Sequence, residues 1–115
     1  MRLDAEEILK LVLARLDDMK AEDILTIDLR DRSSIGDYMV VSSGRSQRHV
    51  GSVADRVVQD LHKAGVAARV EGEPQCDWVL IDAGDVIVHV FRPEVRAFYN
   101  LEKMWMAGSP ARRAS

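Results

Sequence analysis

Asp82 and Asp85 flank an Ala-Gly pair in this 115-residue chain. Paired carboxylates can hold a divalent cation or share acid–base work. Asp and Gly are also the residues that a hairpin turn demands. No third acidic ligand or neighbouring nucleophile can be identified, so the turn reading is adopted. His49, His62 and His89 show no metal-ligand spacing with one another or with Cys76. His62 sits late in a helical pattern among polar residues and is read as solvated. His89 interrupts an apolar run, and a buried imidazole there needs a hydrogen-bond partner. A neighbouring carboxylate or carbonyl is the expected partner; the alternative is a polar contact inside an interface. Cys76 has no activating neighbours that would make it a nucleophile. Ser43-Gly44-Arg45-Ser46 precedes a helical pattern, where free N–H groups with Arg45 and Arg48 suit an anion. It lacks a fuller phosphate-loop pattern, and a plain strand-to-helix turn capped by Ser46 accounts for it.

The aromatic residues are more concentrated than these groups. Both tryptophans, both phenylalanines and one of the two tyrosines fall between Asp77 and Trp105. Tryptophan and tyrosine combine a large apolar area with a polar handle, which suits core edges and interfaces alike. Trp78 opens an apolar run beside a polar loop, where burial is usually incomplete. An exposed patch of this kind would mark a docking surface.

The elements that position these residues follow from periodicity. Asp4 and Glu7 have capping-box spacing, and Ile8, Leu9, Val12, Leu13, Leu16 and Met19 form a helical stripe, so the first helix is expected from about Ala5 to about Met19. Asp23–Leu29 reads as a strand with Leu25, Ile27 and Leu29 on one face. Tyr38–Ser42 reads as a central strand, and the short polar link between the two predicts antiparallel pairing. Val50, Val53, Ala54, Val57, Val58 and Leu61 line a second helix that Gly65 stops. Val66–Glu71 is a weaker third strand. Trp78–Ile81 and Val86–Phe91 are the fourth and fifth, joined by Asp82-Ala83-Gly84-Asp85. Their near-continuous apolarity implies that both faces are covered or that one is kept for a partner. Pro93 fits the first turn of a last helix carrying Val95, Phe98, Leu101, Glu102 and Trp105. The order α-β-β-α-β-β-β-α predicts one α/β (α+β) domain, a mixed five-stranded sheet with flanking helices, over residues 1–107, followed by a tail over 108–115.

The bulk numbers fit that frame. Hydrophobic residues make up 47% of the chain, enough for a core. The formal net charge of −3 lacks the basic excess of a phosphate-driven nucleic-acid binder. One cysteine permits no internal disulfide and suits a reducing compartment. The acidic start resembles no targeting peptide, and no run reaches membrane-spanning length. A cytoplasmic protein with no membrane association is expected.

Four segments together resemble the ribosomal silencing factor family, also called Iojap-like. They are Ser33-Ser34-Ile35-Gly36-Asp37-Tyr38-Met39-Val40-Val41; Ser43–Val50 with Ala54-Asp55; Val70-Glu71-Gly72 with Asp77–Asp82 and Gly84–Phe91; and Arg96, Tyr99, Leu101-Glu102 and Trp105. The resemblance covers nearly the whole chain except the tail. Members often have a small residue before the tryptophan, where this chain has Asp77.

The resemblance implies a translation regulator that is not an enzyme and uses no cofactor. Members bind the large ribosomal subunit through large-subunit ribosomal protein fourteen and sterically block subunit joining, which lowers translation in stationary phase or starvation. It also implies a nucleotidyltransferase-like fold, a homodimer when free, and little or no direct nucleic-acid binding. On that reading Trp78 and Leu80 are apolar anchors on the sheet, and Tyr99 and Leu101 anchors on the adjoining helix. Asp82, Asp85, His89, Arg96 and Glu102 orient the partner around them, while Val79, Ile81, Val86, Val88 and Val90 face the core. The alternative is a nucleotidyltransferase-like enzyme using Ser43, Asp82 and Asp85 with a divalent metal. The aspartate pair, one residue apart on a strand, that such chemistry needs is missing, leaving no ligands for two ions.

Overall fold

A computed structural model gives the fold and describes residues 3–30, 36–72 and 77–92. The predicted last helix, with Arg96, Tyr99, Leu101, Glu102 and Trp105, lies outside the described residues, as do Cys76 and the tail.

Helix α1 spans Ala5–Asp18. Its start is the predicted capping box: Asp4 Oδ1 accepts from Glu7 N at 2.8 Å, and Glu7 Oε1 accepts from Asp4 N at 3.0 Å. Two of the helix's orphan donor positions are thereby satisfied. At its end Lys20 takes φ 64°. This lets Ala21 N donate to Leu16 O at 2.9 Å and Lys20 N to Asp17 O at 3.0 Å, a Schellman closure made without glycine. Helix α2, Gln47–Lys63, starts on Ser46, whose hydroxyl accepts from His49 N at 3.1 Å. It closes in the same way with Gly65 at φ 85°: Val66 N donates to Leu61 O at 2.9 Å and Gly65 N to His62 O at 3.0 Å. Because Val66 is bonded back to the helix, the third strand cannot begin there. Strand β3 is Arg69–Glu71, shorter than the run from Val66 that the sequence suggested.

The other strands are β1 (Glu22–Asp28), β2 (Tyr38–Ser43), β4 (Trp78–Asp82) and β5 (Val86–Phe91). They form one sheet in the order β1-β2-β5-β4-β3. β1 pairs antiparallel with β2 as expected, β2 runs parallel to β5, and β4 is antiparallel to both β5 and β3. The sheet is therefore mixed, and the fold is a single α+β domain.

The pleat sends alternate side chains to opposite faces. One face carries Tyr38 and Val40, Val79 and Ile81, and Val86, Val88 and Val90, packed against Ile8, Val12 and Leu16 of α1 and Val50, Val53, Ala54, Val57 and Leu61 of α2. Both described helices lie on this side. An Asp60 carboxylate on α2 ties them together, with Arg56 Nε at 3.1 Å and Arg15 Nε of α1 at 2.7 Å. On the opposite face Ile27, Leu29, Met39, Val41 and Phe91 form a second apolar cluster, with Leu25 and Trp78 against it. Val79, Ile81, Val86, Val88 and Val90 thus face the helix-side core as expected, whereas β5 is buried on its opposite face as well.

Candidate functional site

The second face concentrates the aromatic chemistry. Register places Trp78 opposite Phe91 and Leu80 opposite His89. Phe91 is fully buried, His89 is 4% exposed, and Trp78, Leu80 and Asp82 are half-buried. Strand β4 thus presents a row of three partly accessible side chains beside a buried floor on β5.

The floor and the row are interlocked. The Trp78 indole stacks on Phe91 with centroids 5.0 Å apart and planes at 24°. The His89 ring also lies against Phe91, at 5.6 Å and 19°. Both spacings fall in the favourable range for offset rings. Trp78 Nε1 donates to His89 Nδ1 at 3.0 Å. The expected carboxylate or carbonyl partner of His89 is therefore replaced at Nδ1 by an indole N–H. An indole nitrogen can only donate, so Nδ1 must accept, which places the proton of the neutral imidazole on Nε2. Burial favours that neutral form and lowers the His89 pKa to about 4.

Asp77 fixes the entry to β4. Its carbonyl accepts from Arg92 N at 2.9 Å, and its Oδ1 takes Arg92 Nη1 at 3.2 Å and Gln47 Nε2 at 3.0 Å. One carboxylate links the start of α2, the start of β4 and the end of β5. The residue before the tryptophan thus acts as an acidic brace.

The remaining expected residues are distributed differently. Asp82 ends β4, and its Oδ1 accepts from Gly84 N at 2.9 Å, the Asx-turn role the hairpin reading assigned to it. Asp85 is exposed in the same turn, and its carbonyl accepts from Asp37 N at 2.7 Å and Tyr38 N at 3.1 Å. The turn closes the end of the hairpin away from Trp78, roughly 13 Å along the strand at the usual rise per residue. Asp85 is therefore not part of the Trp78 cluster. Ser43 is buried at the other end of β2, paired with Phe91, whereas Tyr38 is the residue paired with Val86 near the turn. Ser43, Asp82 and Asp85 do not converge. Among the described residues no group of three His, Cys, Asp or Glu is placed to hold a metal ion.

The Ser43–Ser46 segment is a strand-to-helix turn. Arg45 pairs with Glu22 at 3.1 Å, and its backbone N–H donates to His49 Nδ1 at 2.9 Å. A Cβ on Gly44 would lie 2.8 Å from Val50 Cγ2, so glycine serves close packing there. Sequence reasoning missed Arg69 and Glu71. Both are exposed on β3, and register sets Arg69 opposite Asp82 and Glu71 opposite Leu80, on the face of the half-buried row. Their only signal was the alternation of a three-residue strand whose start was misplaced.

The fold and this face define the class: a mixed-sheet α+β domain with its described helices on one side and an aromatic-floored strand row on the other. The chain belongs to the ribosomal silencing factor family, since the family described as "Ribosomal silencing factor during starvation" matches residues 2–114. It is 54% identical over 106 residues to the ribosomal silencing factor of Zymomonas mobilis, covering 91% of this chain and 80% of that one. The crystal structure of a Chromobacterium violaceum protein, 40% identical, superposes with a TM-score of 0.87 over 90% of this chain and 87% of that one. A mouse protein named for mitochondrial assembly of the ribosomal large subunit is 32% identical over 89 residues, covering 74% of this chain and 39% of the mouse protein.

Proposed function

We propose that this protein docks on the large ribosomal subunit, through large-subunit ribosomal protein fourteen, and keeps the small subunit from joining. It lowers translation in stationary phase or starvation, works in the cytoplasm, and does so by occupancy and without catalysis. The observation that carries this reading is the half-buried pair Trp78 and Leu80 on the buried Phe91–His89 floor, with Asp82 at the far end of the same row opposite Ile87. A rigid aromatic anchor with apolar and polar neighbours is the usual energetic centre of a protein interface. Family membership supports a ribosomal target, and the name of the mouse relative supports the large subunit. The net charge of −3 favours a protein over bare RNA as the main contact. Arg96, Tyr99, Leu101 and Glu102 extend the surface, and a homodimer is the free form. The nucleotidyltransferase-like alternative is not favoured, because Ser43 is buried at the opposite end of the sheet from the Asp82–Asp85 turn.

Co-sedimentation with isolated large subunits tests the reading, with small subunits added as competitors. The expected result is co-sedimentation with large subunits and fewer joined ribosomes as the protein is added. Failure to sediment with large subunits, or joining that proceeds unaltered at saturating protein, overturns it.

A further inference from the structure

On the docking reading, Trp78 meets its partner with an indole whose one polar atom is already engaged, by His89 Nδ1 at 3.0 Å. Stacking on Phe91 at 5.0 Å fixes the tilt of the indole. Stacking alone does not choose which edge of the ring faces outward, because the apolar face of Phe91 accepts either orientation. The hydrogen bond to His89 distinguishes the two, because only one of them turns Nε1 towards Nδ1. His89 is 4% exposed and presents almost no surface of its own to a docked protein. Its ring is held against Phe91 at 5.6 Å, so its own orientation is set by the core. An imidazole suits the task because its neutral form puts a lone pair in the ring plane without bringing charge into the interior, as a carboxylate would.

We infer that His89 is a positioning residue: it takes the indole N–H of Trp78 and holds that ring over Phe91 in one orientation, so that the anchor offers the ribosomal partner an apolar edge. This rests on the docking reading of Trp78. It also defines the partner's pocket, which must be apolar and has no need of an acceptor for the indole nitrogen. His89 then belongs behind the interface and not among its contacts.

The test combines indole N–H resonances of the labelled full chain with co-sedimentation on purified large ribosomal subunits. The chain has two tryptophans, and the signal lost in Trp78→Phe identifies Trp78. His89→Phe, which keeps the stack and removes the acceptor, is expected to shift that signal, while His89→Gln, which restores an acceptor, returns it towards its original position. Loss of one hydrogen bond's worth of pre-organisation is expected to weaken sedimentation about threefold to tenfold in His89→Phe, with recovery in His89→Gln. In a Trp78→Phe background, where position 78 has no N–H to offer from its side chain, His89→Phe is expected to add less than about twofold. The inference is overturned if the Trp78 resonance does not move in His89→Phe, or if the loss is equal in both backgrounds. If Trp78→Phe alone abolishes sedimentation, the resonances decide. If His89→Phe fails to fold, His89→Leu carries the same comparison. Wild-type protein that does not sediment with large subunits sinks the docking reading and the partner half of the inference, while the resonance still decides whether His89 orients Trp78.

Discussion

Gly72 passes so close to Trp78 that a Cβ at position 72 would lie 2.2 Å from the Trp78 carbonyl oxygen and 3.0 Å from Val79 Cα. Its φ of +105° is also one that side chains rarely adopt. Gly65 has a comparable φ of +85° but nothing within 4 Å of its missing Cβ. The pair separates strain from collision. Gly65→Ala is expected to cost about 1 kcal/mol in urea unfolding. Gly72→Ala is expected to cost about 3 kcal/mol or more, because backbone must move, and to weaken ribosome binding by displacing the start of β4.

Trp78 gives a second prediction. Trp78→Ala removes a half-buried ring that rests on Phe91. The folded variant should sediment with large subunits about tenfold or more weakly than wild type. Binding equal to wild type by a variant with an unchanged circular dichroism spectrum would remove Trp78 from the interface.

His89 makes stability depend on pH. Burial lowers its pKa from 6.5 to about 4. Between those values the unfolded chain binds a proton that the folded one does not, so stability rises with pH across this window and is lost as pH falls from about 6.5 towards 4. The full effect is about 3 kcal/mol, reached below pH 4. Urea midpoints measured at half-unit pH steps should fall more steeply for wild type than for His89→Gln. Parallel curves would contradict the assigned burial effect.

Lys20 offers a stabilising change. It holds φ 64° at the closure of α1, where a side chain costs energy that glycine avoids. Lys20→Gly should raise stability by about 0.5–1 kcal/mol, read as a higher urea midpoint with unchanged slope.

The contrast between Lys20 and Gly65 shows what the sequence made legible. Gly65 announces a helix stop, and Asp4 with Glu7 announces a start, because each residue type has a local backbone reason to be there. Lys20 gives no such signal, since its left-handed turn is enforced by the bonds that Ala21 and Lys20 make back to Leu16 and Asp17. The core face of β4 and β5 was readable because alternation survives in one dimension. The indole–imidazole bond was not: Trp78 and His89 are eleven positions apart, and only the hairpin register brings them to adjacent strands. The failure of Ser43 to meet Asp82 and Asp85 was hidden for the same reason, because parallel pairing of β2 with β5 sets which ends coincide.

That parallel pairing also governs when the Trp78 face comes into being. A parallel pair needs a long crossover, here the whole of α2, β3 and β4, before Val40 can meet Val88 and Val41 can meet His89. The centre of the sheet is therefore expected to close late in folding, and Phe91, at the end of β5, completes the floor beneath Trp78. A chain interrupted before β5 has neither floor nor imidazole for its anchor. On the proposed docking reading, such incomplete products should not sediment with large ribosomal subunits.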